Sequence, residues 1–216
     1  MISIDLAGVG KRYKWEWIFK NINLQISQGQ HYAVAGKNGA GKSTFLQLLS
    51  GYLSPTRGSV SLSFGGKILD REQAYAYIAM AAPYAALIED FTLQEAIAFQ
   101  ENFKSWSPNT NKNTVAEVLD FSAQNLVKPL KYFSSGMRQR VKLALAVLSN
   151  APLLLLDEPT ITLDTQGMDW FYGLLDRYRF CQNTNGQAAA RTVIVASNVE
   201  SDFVTCAHHI DLMQYK

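Results

Sequence analysis

The run Gly36-Lys37-Asn38-Gly39-Ala40-Gly41-Lys42-Ser43 has the pattern G-x-x-x-x-G-K-[ST]. Glycines at these positions let consecutive backbone N–H groups turn inward around a phosphate, where a Cβ would obstruct the approach. Lys42 can then reach the β- and γ-phosphates of a nucleotide, and the Ser43 hydroxyl can ligate Mg2+. Asp157 ends an apolar run, and Glu158 follows it directly. A carboxylate at the carboxyl end of a parallel strand can hold the Mg2+ shell, and a second acid beside it can polarise an attacking water. The plain alternatives are a helix cap for Asp157 and a solvated loop acid for Glu158. Both lose weight because the pair accompanies a phosphate loop.

Such a loop works only between a strand and a helix whose N-terminus faces the same anion. Residues 31–35 (HYAVA) read as that strand, and the helix after it carries Phe45, Leu46, Leu48 and Leu49 before a stop at Gly51. Leu153-Leu154-Leu155-Leu156 and Val193-Ile194-Val195-Ala196 are continuous apolar runs of strand length, as expected for strands covered on both faces. Strands alternating with helices predict a parallel sheet. Ahead of it, 2–6 and 18–26 alternate as short strands, and 58–64 forms another before the turn at Gly65-Gly66.

The middle of the chain is helical. Leu93, Ala96, Ile97 and Phe103 have helical spacing, with Thr92 and Glu95 as a capping box. A polar loop is expected over 105–114, a new helix from Val115, and another from Met137 to about Leu148. The stretch 75–80 reads as a buried strand, and 181–190 as an exposed loop. The expected organisation is one domain over 1–216, with a helical subdomain at about 90–145 inserted in an α/β core.

With 216 residues, 48% of them hydrophobic, the chain can build a sizeable core. Its formal net charge of +2, without a run of one sign, leaves no electrostatic footprint for nucleic acid. The most apolar stretch, Ala74 to Ile88, is broken by Pro83 and falls short of the roughly 18 residues a membrane span requires. The N-terminal MISIDLAGVG lacks the basic and apolar segments of a secretion signal. Two cysteines suit a reducing compartment.

Taken together, these motifs resemble those of the ATP-binding cassette (ABC) ATPase family over nearly the whole chain. Gly36 to Thr44 is similar to its Walker A segment, Leu153 to Pro159 to Walker B with the catalytic glutamate, and Ile161 to Asp164 to the D-loop. The segment Phe133-Ser134-Ser135-Gly136-Met137 resembles the family signature LSGGQ, with Ser135 in place of a glycine and Met137 in place of the glutamine. The resemblance implies a P-loop NTPase fold: a mostly parallel sheet, an N-terminal antiparallel β-subdomain and an inserted helical subdomain. It implies ATP and Mg2+ as ligands. Ser43 and Asp157 fall at the metal, Glu158 and Lys42 at the chemistry, and Gly36, Asn38, Gly39, Ala40, Gly41 and Thr44 around the phosphates.

Tyr13 falls where the family stacks an aromatic residue on adenine, with Trp15 and Trp17 as alternatives. Ser134, Ser135 and Gly136 would face the γ-phosphate bound by a second subunit. Two positions depart from the family. Pro83 stands where a glutamine usually touches Mg2+ and water, and Asn198 where a histidine usually contacts the γ-phosphate. Both departures predict slowed hydrolysis.

The resemblance implies a cytoplasmic, peripherally membrane-associated subunit of a transporter, with export the expected direction. It would dimerise around two ATP, with a homodimer favoured, and drive a separate transmembrane permease. Ala85, Ala86, Leu87 and Ile88 would be docking surface for that partner. A soluble non-transport ATPase of the family and a nucleotide-gated binding module with weak turnover are the alternatives.

Overall fold

The computed structural model describes residues 2–182 and 186–216. The chain opens with β1 (Ile2–Tyr13) and β2 (Glu16–Ile26), then β3 (His31–Ala35) and α1 (Lys42–Leu49) on either side of the glycine loop. After β4 (Arg57–Phe64), β5 (Lys67–Ile68) and the single turn α2 (Arg71–Ala74) comes β6 (Ile78–Ala81). A helical region follows, with α3 (Leu93–Glu101), α4 (Lys112–Leu119), α5 (Ala123–Leu126) and α6 (Ser135–Val147). The chain then returns through β7 (Leu153–Asp157), α7 (Thr165–Arg177), the pair β8 (Phe180–Gln182) and β9 (Ala188–Ala190), β10 (Thr192–Ala196) and β11 (His208–Asp211).

Two sheets carry the architecture. One is antiparallel in the order β2-β1-β4-β5; the other runs β11-β3-β10-β7-β6, and all its pairs are parallel. This is the fold class expected of a P-loop core with an antiparallel N-terminal sheet and a helical insert. The apolar runs show why the parallel sheet sits at the centre. Leu153 and Leu155 of β7 enter the core shared with the antiparallel sheet and α1, while Leu154 and Leu156 enter the core under α6 and α7. In β10, Ile194 and Ala196 face the first of these cores and Val193 and Val195 the second. A third apolar cluster holds the insert together around Leu93, Ile97, Val115, Leu119, Leu130 and Val141.

Several local expectations are corrected. The N-terminal strands are long: β1 and β2 pair from Ile4↔Ile26 to Tyr13↔Glu16. Register shifts near Gly8, whose φ is +59°, interrupt the two-residue alternation and hide this length in the sequence. Helix α4 starts three residues earlier than Val115, because the Asn111 side chain accepts from the backbone N–H of Asn113 (2.8 Å) and Thr114 (3.2 Å). Helix α6 starts at Ser135 rather than Met137, with Ser134 as its cap. Only the end of 75–80 is strand; Tyr75–Tyr77 is a single helical turn with Tyr75 exposed. The segment 181–190 is not simply an exposed loop, since β8 pairs with β9 and Cys181 is buried. The centre of that predicted loop, 183–185, lies outside the described residues. The capping box at Thr92 and Glu95 is present.

Candidate nucleotide site

Strand order brings the site together. β10 lies between β3 and β7, so the loops leaving the carboxyl ends of these three parallel strands are neighbours. They carry Lys42, Asn198 and Glu158 in turn. Residues Ile18, Lys37, Asn38, Gly39, Ala40, Gly41, Lys42, Ser43, Thr44, Glu158, Ile161 and Asn198 line one cavity of about 480 Å3. All of these except Ile18 come from the glycine loop, the start of α1, or the Glu158 and Asn198 loops.

The loop is shaped as a phosphate cradle. Gly41 has φ +102°, and a Cβ there would stand 2.4 Å from Ile18 Cγ2; Gly36 has φ +151°, and a Cβ would meet the Ala40 Cβ at 2.7 Å. Both positions therefore exclude side chains by conformation and by space. Gly41 precedes the first residue of α1, so the helix N-terminus opens onto the cavity.

Lys42 is 6% exposed, and its ammonium donates to Gly36 O at 2.9 Å and to Asn198 Oδ1 at 2.8 Å, with Glu158 Oε1 at 3.6 Å. The Asn198 amide donates to Glu158 Oε1 at 2.9 Å and to Asn38 Oδ1 at 2.5 Å. Glu158 also receives Ser197 Oγ and the Asn198 backbone N–H, each at 3.3 Å. Glu158 itself holds φ +47°, a strained setting for a non-glycine residue, fastened by its N–H bond to Ala196 O at 2.7 Å. The strain lies where the carboxylate must be aimed.

Asp157 is buried, and neither carboxylate oxygen completes a hydrogen bond, although the Ser43 and Tyr84 hydroxyls stand beside it. Burial raises its pKa, tempered first by Ser43. An orphaned buried carboxylate next to an exposed serine hydroxyl fits one face of a Mg2+ shell whose other ligands are phosphate oxygens and water. Among the described residues no group of three His, Cys, Asp or Glu side chains comes together as a metal cage.

The remaining predicted residues lie elsewhere. Tyr13 ends β1 beside the exposed hairpin tip, half-exposed, with the Lys11 ammonium over its ring at 5.2 Å; it does not line the cavity. Ile18 does, from the paired strand. Ser134, Ser135 and Gly136 are also outside the cavity. Ser134 Oγ accepts from Met137 N–H at 3.1 Å, capping α6, and a Cβ on Gly136 would stand 3.1 Å from Thr162 O. The signature segment thus packs on the D-loop of its own chain, a contact reinforced by Gln139 Nε2 donating to Pro159 O at 2.8 Å.

Two residues escaped the sequence reading. Buried Asp202 accepts from Ser197 Oγ (2.5 Å), Thr160 Oγ1 (3.1 Å) and Tyr172 Oη (2.9 Å), tying the Glu158 and Asn198 loops together. Tyr84, next to Pro83, is the second; burial first, and then the Asp157 charge, raise the pKa of its phenol. No motif announces either.

A second, larger cavity of about 830 Å3 lies between the core and the insert, lined by Gln47, Tyr75, Met80, Tyr84, Phe103 and Lys104 among others. Burial lowers the Lys104 pKa to about 8, and its ammonium donates only to the Tyr75 (2.6 Å) and Ile78 carbonyls. Ala85 lines this cavity, whereas Ala86 and Leu87 line a smaller one of about 170 Å3; Ile88 is exposed, and Leu87 is half-buried against the core of the insert. No helix among the described residues is long and apolar enough to cross a membrane.

Comparison with known proteins follows the same outline. The ABC transporter family model matches residues 19–161. The chain is 34% identical over 169 residues to the uncharacterized ABC transporter ATP-binding protein YxlF of Bacillus subtilis, covering 77% of this chain and 55% of that protein. It is 30% identical over 168 residues to the Nod factor export ATP-binding protein I of Rhizobium johnstonii, covering 76% of this chain and 53% of the relative. It therefore spans about half the length of these relatives. The dimeric structure of the bacterial ABC transporter cassette MJ0796 superposes with a TM-score of 0.78 at 24% identity, over 96% of this chain and 93% of that one, a likeness of fold. With a phosphate cradle, an acid pair and a helical insert in the family's order, and the family model across two thirds of its length, the chain belongs to the ABC transporter family as an ATP-binding cassette.

Proposed function

We propose that this cassette binds Mg2+–ATP in the 480 Å3 cavity and hydrolyses it to ADP and phosphate to drive transport. The observation that carries the reading is the convergence of Lys42, Asn198 and Glu158 on one point of the phosphate cradle. Lys42, the loop N–H groups and the α1 N-terminus bind the phosphates. Asn38 and Thr44 line the same wall, and Tyr13 is the aromatic residue proposed for adenine. Ser43 and Asp157 would hold Mg2+, which supplies charge neutralisation for the phosphates. Glu158 orients water and takes its proton, aimed by Ser197, Asn198 and the backbone of Ala196. Asn198 donates to the γ-phosphate without carrying charge, and Pro83 has no polar side chain; on this reading turnover is slow.

Because Ser134, Ser135 and Gly136 lie outside their own chain's cavity, the proposal includes a homodimer in which each copy completes the other's site. It also includes a separate transmembrane permease, whose cytoplasmic segment docks on Ala85, Ala86, Leu87 and Ile88. That would place the cassette on the cytoplasmic face of a membrane. The export direction leans on the Nod factor export relative.

The deciding experiment measures phosphate release and nucleotide binding by the purified chain with Mg2+–ATP, beside Lys42→Ala. Turnover and binding that both vanish in the variant support the reading. A wild-type chain that binds no ATP refutes it. Exchange of Leu87 and Ile88 for Asp should release the protein from membranes while ATP binding persists; retained membrane association overturns the docking surface.

A further inference from the structure

We propose that Asp202 is a positioning residue for Glu158: its buried carboxylate clamps the Glu158–Thr160 turn to the Ser197–Asn198 turn and so sets the direction of the base. The inference rests on the reading of Glu158 as the group that orients water. Asp202 sits on the single helical turn Glu200–Phe203 and is 4% exposed. Its Oδ2 accepts from Ser197 Oγ at 2.5 Å and from Thr160 Oγ1 at 3.1 Å, and its Oδ1 from Tyr172 Oη at 2.9 Å. Among the described residues no salt bridge reaches it. A buried carboxylate costs stability unless donors surround it. Here the three donors come from the loop after β10, the loop after β7, and α7.

Glu158 lies between two of these ties. Its φ of +47° persists only where the surroundings over-determine it. On one side its N–H bonds to Ala196 O at 2.7 Å, directly before Ser197. On the other, Thr160 is buried two residues on and fastened to Asp202. A serine hydroxyl has one proton, and the 2.5 Å bond gives Asp202 the larger share of it over Glu158 Oε2 at 3.3 Å. Ser197 Oγ in turn accepts from Val199 N–H at 3.0 Å, which fixes the course of the chain through Asn198. That course presents the Asn198 N–H to Glu158 Oε2 and the Asn198 amide to Oε1. Asp202 itself does not line the 480 Å3 cavity, so it acts through Glu158 and not on the nucleotide.

The test is a cycle of Asp202→Asn and Glu158→Gln in the full chain, read by single-turnover phosphate release with Mg2+–ATP and by fluorescent-nucleotide titration. Asp202→Asn alone should slow release about tenfold, the scale of a slightly misplaced reacting group, with ATP affinity held within about twofold. Added to Glu158→Gln it should slow release by less than about twofold, because the group it aims is already disabled. Asp202→Glu, which keeps a carboxylate, should recover part of the rate. Thr160→Val removes one donor and carries the same cycle, with a loss of about threefold, if Asp202→Asn does not fold. The same slowing in both backgrounds would mark a merely structural carboxylate and overturn the proposal. So would an equal loss of affinity and rate, or a wild-type rate in Asp202→Asn where Glu158→Gln is slow. A wild-type chain without turnover, or Glu158→Gln at the wild-type rate, overturns the reading of Glu158 and this inference with it.

Discussion

Replacing Glu158 by Gln should move binding and turnover in opposite directions. The substitution keeps the shape of the side chain and an oxygen for the Asn198 amide, now 2.9 Å away, while deleting the charge. Lys42 stands 3.6 Å from that carboxylate, with 6% and 16% of the two side chains exposed. At this distance the gross attraction is about 4–5 kcal/mol for an effective dielectric of about 20. The cost of holding both charges away from water offsets most of it. An incoming γ-phosphate must draw Lys42 from Glu158 and sit near the carboxylate. Removing the charge relieves both, so a net gain of about 1–2 kcal/mol, or about 5- to 30-fold tighter ATP, is expected.

Turnover should fall by about 10²- to 10⁴-fold, the usual contribution of a positioned general base. Fluorescent-nucleotide titration reads the first effect and single-turnover phosphate release the second. A fall in rate smaller than about threefold would refute the assignment of Glu158 as the base. Weaker ATP binding would refute the competition for Lys42.

Three further outcomes follow from the geometry. Asn198→His places a protonatable ring at the phosphate and should raise turnover about 3- to 10-fold, most strongly below about pH 6.5 where the imidazole is charged. A fall at every pH would show that Asn198 does not face the phosphate. Gly41→Ala meets both a φ of +102° and Ile18 Cγ2, whereas Gly39→Ala at φ +79° has open space; ATP affinity should drop about tenfold or more in the first and clearly less in the second, by the same titration. For Lys104, the folded pKa of about 8 lies below the ordinary lysine value of 10.5, so the unfolded chain binds more protons between them. Its destabilising effect is complete below pH 8 and fades as pH rises toward 10.5, by at most about 3 kcal/mol. Urea denaturation should therefore show the stability gap between wild type and Lys104→Met changing in the wild type's favour from pH 7 to pH 10, and a constant gap would refute it.

The legible parts of the chain are those where one residue type answers to one constraint. The leucines of β7 and the Val-Ile-Val run of β10 can be read because both faces of each strand are buried, so no polar position interrupts them. The phosphate loop can be read because backbone approach demands glycine at fixed spacing. β1 and β2 were harder, since their bulges break the alternation that marks a strand. Arg191 shows the limit in the core. Its fully buried guanidinium donates to the carbonyls of Val147 (2.6 Å), Tyr178 (3.3 Å) and Ser149, closing the C-terminal end of α6 with a cation. Before a strand, such an arginine reads as solvated.

Asn198 ties these separate features into one network. An amide offers an acceptor and a two-proton donor within one short reach, and here it uses both: it accepts from Lys42 and donates to Glu158 and Asn38. A neutral imidazole has a single donor and a single acceptor on opposite edges of the ring and cannot make the same three contacts. Asn198 thereby orients both Lys42 and Glu158, whose charges lie 3.6 Å apart. ATP must then exchange contacts with this network rather than fill a bare cradle. The residue proposed to face the γ-phosphate therefore also holds Lys42, Asn38 and Glu158 together. On that account Asn198→His should loosen this network even as it speeds the chemistry, and a lower unfolding temperature without nucleotide, recovered when ATP is added, is the joint signature.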